Sequence, residues 1–280
     1  MAEQTRSILH TELEYLGAQF STSTEGFEFA TSFFGEKPLE TALKDCALID
    51  LSGSSYALIS GNPSQNFVET VFAGKKLKVG ESSFEVALIG DGSLASIALL
   101  ARSGQNEYVF LDTSDRGETL IEWCSVISQV EQNGVTPYQG ISLENATPLL
   151  TPLLLVGKKA KKILEDYLGN QTLPEEFTLT NLMLDQTIPA LIANVTTKKI
   201  PAYLVMIPPM HTTILFRSLL SFEEIHPIGH NQFIKGLKNH LPWFSQLEYS
   251  TKVVIAKDKL EGWNLLRSSN DFIGARGDLL

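Results

Sequence analysis

Short apolar runs alternate with medium amphipathic stretches along the whole chain, and this rhythm predicts strands and helices in turn. A helix is expected over 38–47, opened by Pro38, whose fixed φ suits a first helical turn. The runs CALIDL and SSYALIS read as strands, with a β-turn at Ser52-Gly53 between them. Asn62-Pro63 supplies a cap and a first helical residue, and Gly74 closes that segment. Phe67, Val68, Val71 and Phe72 share one helical face inside it. Strands are expected near 84–89, 93–101 and 107–112. The polar turn 112–116 opens a helix whose buried stripe is Leu120, Ile121, Cys124 and Ile127. Strands follow near 135–142 and 149–156. The helix 157–168 then buries Ala160, Ile163, Leu164 and Tyr167, with Gly169 just past its end. A strand at 203–207 ends in Pro208-Pro209. A helix over about 210–221 buries Ile214, Leu215, Leu219 and Leu220. A helical segment at 229–240 and a β-branched strand at 251–256 complete the pattern.

This order of elements points to an α+β chain rather than a doubly wound parallel sheet. It reads as one domain over 1–280, made of two related, intertwined subdomains with approximate halves 1–135 and 136–280. No Gly-, Ser- or Pro-rich linker divides them, and no internal repeat is strong enough to establish duplication.

Composition narrows the chemistry. The 280 residues are 43% hydrophobic, enough for a substantial core, and no apolar run reaches the roughly 20 residues needed to cross a bilayer. The N-terminal segment has no apolar stretch followed by a small-residue cleavage site, so a cytoplasmic location and no membrane partner are expected. A net charge of −10 repels phosphate backbones and argues against nucleic acid as a partner. Lys158, Lys159, Lys161 and Lys162 form the single basic cluster, and they read as the solvated face of a helix. Cys46 and Cys124 lie far apart among apolar neighbours and read as small buried residues. His226 and His230 have helical ligand spacing, but the intervening Pro227 and Gly229 argue against that geometry, so no metal is expected. Neither a phosphate loop, a dinucleotide fingerprint nor a nucleophile elbow is present.

Four stretches in order resemble one family. ALIDLSGSSYALISGNPSQNFVETVFAG, residues 47–74, is similar to its opening "G-L-F-D-(V/L)-S" segment. GESSFEVALIGDGSLASIALLARSGQNEYVFLDTS, residues 80–114, resembles its tyrosine-bearing strand and glycine hairpin. LLLVGKKAKKIL, residues 153–164, resembles "L-x-G-P-x-A-x-x-(V/L)-L", with Lys158 where proline is usual. NDFIGARGDL, residues 270–279, resembles the "D-F-I-G-R-x-A-L" sequence that closes the family's folate-binding domain. The family is the T-protein (aminomethyltransferase) of glycine cleavage, whose relatives include dimethylglycine- and sarcosine-oxidising enzymes and a folate-binding branch linked to iron–sulfur proteins. The resemblance implies an α+β fold around a central funnel that holds tetrahydrofolate as cofactor, and a lipoyl carrier protein as partner. It also implies that the family's C-terminal β-barrel, which follows "D-F-I-G", is lacking here.

The family's polar positions are altered. Its hairpin "G-G-(V/I)-(I/L)-D-D-L-I-V" becomes Asp91-Gly92-Ser93-Leu94-Ala95-Ser96-Ile97-Ala98-Leu99, so Ala95 and Ser96 replace the acid pair. Asp91 is too far along the strand to take over that place. Ile200 stands at the pterin-binding glutamate, and an unpaired pterin donor there would cost roughly 1–3 kcal/mol. The segment 232–240 carries Lys235 and Lys238 where the family has "R-D-x-L-R-L-E-A-G". Phe84 aligns with the pocket tyrosine and keeps only its ring.

The reading that follows is a divergent T-protein-like member of folate-linked one-carbon and glycine metabolism that binds folate or a partner without standard aminomethyl transfer. An active tetrahydrofolate-dependent aminomethyltransferase is one alternative, and a non-enzymatic accessory of a lipoyl carrier or of iron–sulfur proteins is another. No residue is assigned as catalytic. The ligand-binding candidates are Phe84, Ser96, Asp112 and Tyr203.

Overall fold

The computed structural model describes residues 5–23, 26–248, 252–278 and 280. In chain order the elements are α1 (His10–Tyr15), β1 (Ala18–Thr22), β2 (Glu28–Phe33), α2 (Leu39–Ala42), β3 (Cys46–Asp50), β4 (Ser55–Ser60), α3 (Ser64–Val71), β5 (Ser82–Leu88), β6 (Leu94–Gly104), β7 (Glu107–Asp112) and α4 (Gly117–Ser128). There follow β8 (Ser142–Asn145), β9 (Thr151–Val156), α5 (Ala160–Glu165), β10 (Leu179–Leu184), β11 (Ile188–Asn194), β12 (Ala202–Ile207), α6 (Pro209–Leu219), β13 (Ile225–Pro227), α7 (His230–His240), a 3₁₀ turn (Phe244–Glu248) and α8 (Lys257–Gly262). The fold is α+β. Among the described residues no helix is long and apolar enough to cross a membrane.

The chain divides into two compact units, each assembled from two separated stretches. One takes 1–53 and 146–240, the other 54–145 and 241–280. The boundaries therefore differ from consecutive halves meeting at 135 and 136. The predicted turn at Ser52-Gly53 is the crossing from one unit to the other, so β3 and β4 enter different sheets.

The first unit carries a six-stranded sheet in the order β10-β11-β12-β9-β3-β13, antiparallel except for the β3–β13 pair, and a separate β1–β2 hairpin. Side chains alternate across a strand. Leu153 and Leu155 of β9, Val205 and Ile207 of β12 and Leu48 of β3 thus project to one face, where Ile163 and Leu164 of α5 and Leu215, Phe216 and Leu219 of α6 cover them. The predicted stripe on α6 is rotated. Ile214 is exposed, and Thr212 and Phe216 join Leu215 and Leu219 inside. The β10–β11 hairpin has no counterpart among the predicted strands, because Pro189 interrupts the apolar pattern of β11.

The second unit holds an antiparallel sheet in the order β5-β6-β7-β4-β8. Phe67, Val68 and Val71 of α3 and Leu120, Cys124 and Ile127 of α4 pack on the face formed by Ala57, Ile59, Ala98, Leu100, Tyr108 and Phe110. Phe72 lies just past α3 in extended backbone, and Asn62 accepts a 3.0 Å bond from the Asn106 amide rather than capping the helix. The strand predicted near 135–142 is reduced to β8. Asn133 and Gly134 take left-handed φ of 55° and 75° and fold 132–135 into a tight turn. The predicted strand at 251–256 keeps its alternation, with Val253 and Ile255 buried and Val254 exposed, but no ladder forms. Its tie to the sheet is the 2.8 Å bond from the Leu94 N–H to the Val253 carbonyl, and residue 251 lies outside the described residues.

Gly61, at φ 118°, lets the chain turn from β4 into α3. A Cβ there would strike the Gly140 carbonyl. Gly61→Ala is expected to destabilise the protein by about 2 kcal/mol or more, through strain plus a backbone clash. Urea unfolding of the two proteins checks this, and an unchanged midpoint would refute it.

Candidate functional site

Asp112 ends β7 and is fully buried with Ser96, which comes from the adjacent strand β6. One carboxylate oxygen, Oδ2, accepts from the Ser96 hydroxyl at 2.5 Å. The other accepts from the Ser114 N–H at 2.9 Å and the Ser114 hydroxyl at 2.7 Å. Burial pushes the Asp112 carboxyl upward, while the donors on Ser96 and Ser114 and the charge of Arg116 pull it back. Arg116 has a second task. The β5–β6 register shifts between Ala87 and Leu88, which leaves Ala95 in a bulge. The Arg116 guanidinium donates to the Ala95 carbonyl at 2.7 Å and to the Leu94 carbonyl at 2.5 Å, so the bulged backbone is satisfied.

Phe84 does not join this group. It pairs with Leu99, whereas Ser96 pairs with Ala87, three residues along each strand. With side chains alternating across the pleat, Phe84 and Ser96 point to opposite faces of the sheet. Ala87 belongs to the helix-covered core, and Phe84 meets Trp243 at 5.5 Å between ring centroids, with Trp263 6.3 Å beyond. Tyr203 belongs to the other unit, in β12, where it pairs with Asn194 and Leu155. Of the four candidates, then, Ser96 and Asp112 are in contact, Phe84 lies on the other face of their sheet, and Tyr203 belongs to the other unit.

Asp91 is held in the hairpin turn. It accepts from the Ser93 N–H and hydroxyl at 2.9 and 2.6 Å and pairs with Lys252 at 2.5 Å, and these partners hold its carboxyl well below the usual carboxylate range. Ile200 closes the tight turn 197–200, in which Lys198 and Lys199 take left-handed φ of 50° and 62°. Cys46 and Cys124 are buried and unpaired, and burial pushes both thiols up to about 12. His226 stands 3.1 Å from Lys37 and 3.4 Å from Asp45, and no group of three metal-ligating side chains occurs among the described residues.

Two inward carboxylates fall outside the predicted set, Asp50 half-buried and Glu85 buried. Asp50, at the end of β3, accepts from Ser7 at 2.5 Å and from the Ser52 N–H and hydroxyl at 3.0 and 2.6 Å. Glu85 differs in kind. It lies on β5 on the Ala87 side, is 0% exposed, and neither carboxyl oxygen has a hydrogen-bond partner. The nearby Ser83 hydroxyl is directed at the Phe84 carbonyl, and the Arg267 guanidinium is engaged with Asp271 and the carbonyls of Glu69, Phe72 and Gly74. Burial therefore dominates and pushes the Glu85 carboxyl up to about 8. Nothing in the sequence signals this: in S-F-E-V-A-L the alternation groups Glu85 with Ser83 and Ala87, away from Phe84, Val86 and Leu88.

No protein-family model matches the chain, and no curated protein does. Solved structures do. The glycine cleavage system aminomethyltransferase T from Bartonella henselae superposes with a TM-score of 0.72 at 16% identity, over 98% of this chain and 74% of that one. The heterotetrameric sarcosine oxidase from Corynebacterium sp. U-96, in complex with pyrrole 2-carboxylate, matches 65% of this chain and 87% of its own at 13% identity and a TM-score of 0.43. The chain has the fold of aminomethyltransferase T. At that identity the likeness is one of architecture, and the polar residues have to be judged on their own geometry.

Two outcomes follow from that geometry. Ser96→Ala removes one donor from a buried carboxylate and is expected to cost about 1–3 kcal/mol in urea unfolding, against a negligible cost for the exposed Ser268→Ala. For Glu85, the folded carboxyl titrates near 8 and the unfolded one near 4.5. Below about pH 4.5 both states hold the proton; as pH rises toward 8 the unfolded state loses it first, so stability falls across that window. Glu85→Gln is expected to flatten this decline and to exceed the parent by a few kcal/mol at pH 8–9. Parallel slopes for the two proteins would refute the assignment.

Proposed function

We propose that this chain is a T-protein-like protein of folate-linked one-carbon and glycine metabolism, acting in the cytoplasm, that binds tetrahydrofolate or a similar flat heterocycle without standard aminomethyl transfer. The shared fold with aminomethyltransferase T supports the folate-linked half of this reading. The other half rests on one observation. Where the resembling family places an acid pair, this chain has Ala95 and Ser96. The Ser96 hydroxyl is bonded to Asp112, and the Ala95 carbonyl to Arg116. Neither side chain can carry negative charge at neutral pH, and general acid–base work at a carbon–nitrogen bond needs a group that exchanges a proton near the operating pH. Asp112 is enclosed by its own donors, with no hydrogen-bonding capacity directed away from them on the oxygen that Ser114 holds twice. Ile200, at the position of the pterin-binding glutamate, further favours a ligand held by stacking and shape over one held by a carboxylate.

Calorimetric titration with tetrahydrofolate and 5-formyltetrahydrofolate tests binding, and an assay with an aminomethyl-loaded lipoyl carrier tests transfer. Micromolar binding without turnover is the expected pair of results. Turnover above background would establish an active aminomethyltransferase instead. No binding up to about millimolar folate, weaker than roughly −4 kcal/mol, would overturn the proposal and leave the lipoyl carrier itself as the partner to test.

A further inference from the structure

The unit formed by 1–53 and 146–240 contains a cleft of about 600 Å³. That volume is within the usual range of small-molecule sites. Its floor is Asn194, Thr196 and Tyr203, all buried. Glu165 at the end of α5 and Glu176 on the segment after it line the cleft with them. Most of the floor's polar atoms serve the fold. The Asn194 amide donates to the Pro174 carbonyl at 3.0 Å and accepts from the Thr196 N–H at 3.1 Å, and the Thr196 hydroxyl accepts from the Ala202 N–H at 3.1 Å. Tyr203 is the exception. The residue is 4% exposed, lines the cleft, and its hydroxyl has no hydrogen-bond partner among the described residues. That hydroxyl is not fully enclosed, so it keeps an open side, and an unused hydroxyl with an open side on a residue lining a cavity marks a place for a ligand atom.

The charges around it choose the sign of that ligand. Burial raises the Tyr203 hydroxyl above its ordinary range, and the negative charges of Glu165 and Glu176 raise it further, which places both carboxylates in its field. Tyr203 therefore stays neutral near pH 7 and keeps a lone pair to offer. Lys161 stands 3.7 Å from Glu165, an exposed i,i+4 pair of the weak, screened kind. Glu176 forms no ion pair among the described residues, and neither does the third acid of the cleft, Glu175. Lys199 is the second cation lining it. Three acids against two lysines leave the cleft negative, within a chain of net charge −10 that draws cations and repels anions.

We propose that this cleft binds a small organic cation carrying an ammonium group, held between Glu165 and Glu176 with one N–H donating to the Tyr203 hydroxyl oxygen. Leu173, Pro174 and Pro201 supply apolar surface in the same cleft for the ligand's carbon chain. The site lies wholly within one unit and shares no residue with the Ser96–Asp112 pair, so its titration is read separately from that with folate.

The test is calorimetric titration of the full chain with 1,4-diaminobutane, with 1,4-butanediol as a neutral analogue of the same length and succinate as an anionic one. Glu165 and Glu176 are exposed, so Glu165→Gln and Glu176→Gln leave the fold intact, and Tyr203→Phe keeps the ring that packs in the core. The diamine is expected to bind in the sub-millimolar range, the diol and succinate not at all. Each Glu→Gln variant is expected to bind it about tenfold more weakly, and Tyr203→Phe about fivefold, with unfolding midpoints in the absence of ligand unchanged for the Glu variants. No heat from the diamine, equal binding of the diol, or full-affinity binding by both Glu variants would each overturn the proposal.

Discussion

A carboxylate taken out of water must be met by donors or give up its charge, and this constraint organises the polar interior of the protein. It is met in the same way twice. Asp112 at the end of β7 and Asp50 at the end of β3 each receive an N–H and a hydroxyl from the serine two residues on, and a second hydroxyl from a serine elsewhere in the same unit, Ser96 or Ser7. The local half of this arrangement is dictated by the sequence D-x-S. An aspartate can bond its own chain two residues ahead and so turn the strand out of the sheet. The distant serine is what ties the turn to the rest of its unit. Each unit thus ends one strand on a bonded carboxylate, and that bond fixes where the chain leaves the sheet.

The same constraint bears on position 96, where the resemblance expects an acid. Ser96 is a hydroxyl where the resembling family has an acid. Beside Asp112 a second carboxylate would repel the first across one hydrogen-bond length, whereas a serine donates to it. The substitution is therefore consistent with the neighbour it has. The helices α3 and α4 pack on Ala57, Ala98, Leu100 and Phe110, residues that do not depend on the charge at position 96. Packing sets the architecture, and single polar positions set the chemistry. Glu85 is the complement of this case. It has no donor and remains protonated to about pH 8, a neutral acid inside an apolar sheet face.

Much of this was legible from the chain, for physical reasons that differ by element. The strands β5, β6, β7 and β12 and the helices α4 and α5 are long or strongly periodic, and their cores matched their patterns: Leu120, Cys124 and Ile127, or Ala160, Ile163 and Leu164, are buried together. The β1–β2 and β10–β11 hairpins were not legible, because their faces are half polar and a proline interrupts one of them. Which strands share a sheet was hidden too, since only residues 51–54 separate β3 from β4 yet the two belong to different units, a choice made by partners far along the chain. Within the candidate site, the pairing of Ser96 with Asp112 depended on register, and register depended on the bulge at Ala95, which nothing in the local sequence announces. That Phe84 and Ser96 lie on opposite faces was hidden for the same reason: a position on a strand specifies a face only after the register is known.

That bulge is where local and distant forces meet. A strand that gains one residue leaves a carbonyl without its ladder partner, and an unpaired buried carbonyl is costly enough to shift the register back unless something else bonds it. Arg116, one turn past the Asp112 carboxylate, reaches the carbonyls of both Leu94 and Ala95. Its charge at the same time offsets the burial of Asp112. One guanidinium thus holds the extra residue in place and helps keep the adjacent acid tolerable. A shift by one residue would turn Ser96 to the opposite face and leave Asp112 without its third donor. The Arg116 side chain is then part of what makes Ser96 fit its position, and Ala95 and Ser96 are better understood through this bulge than one residue at a time.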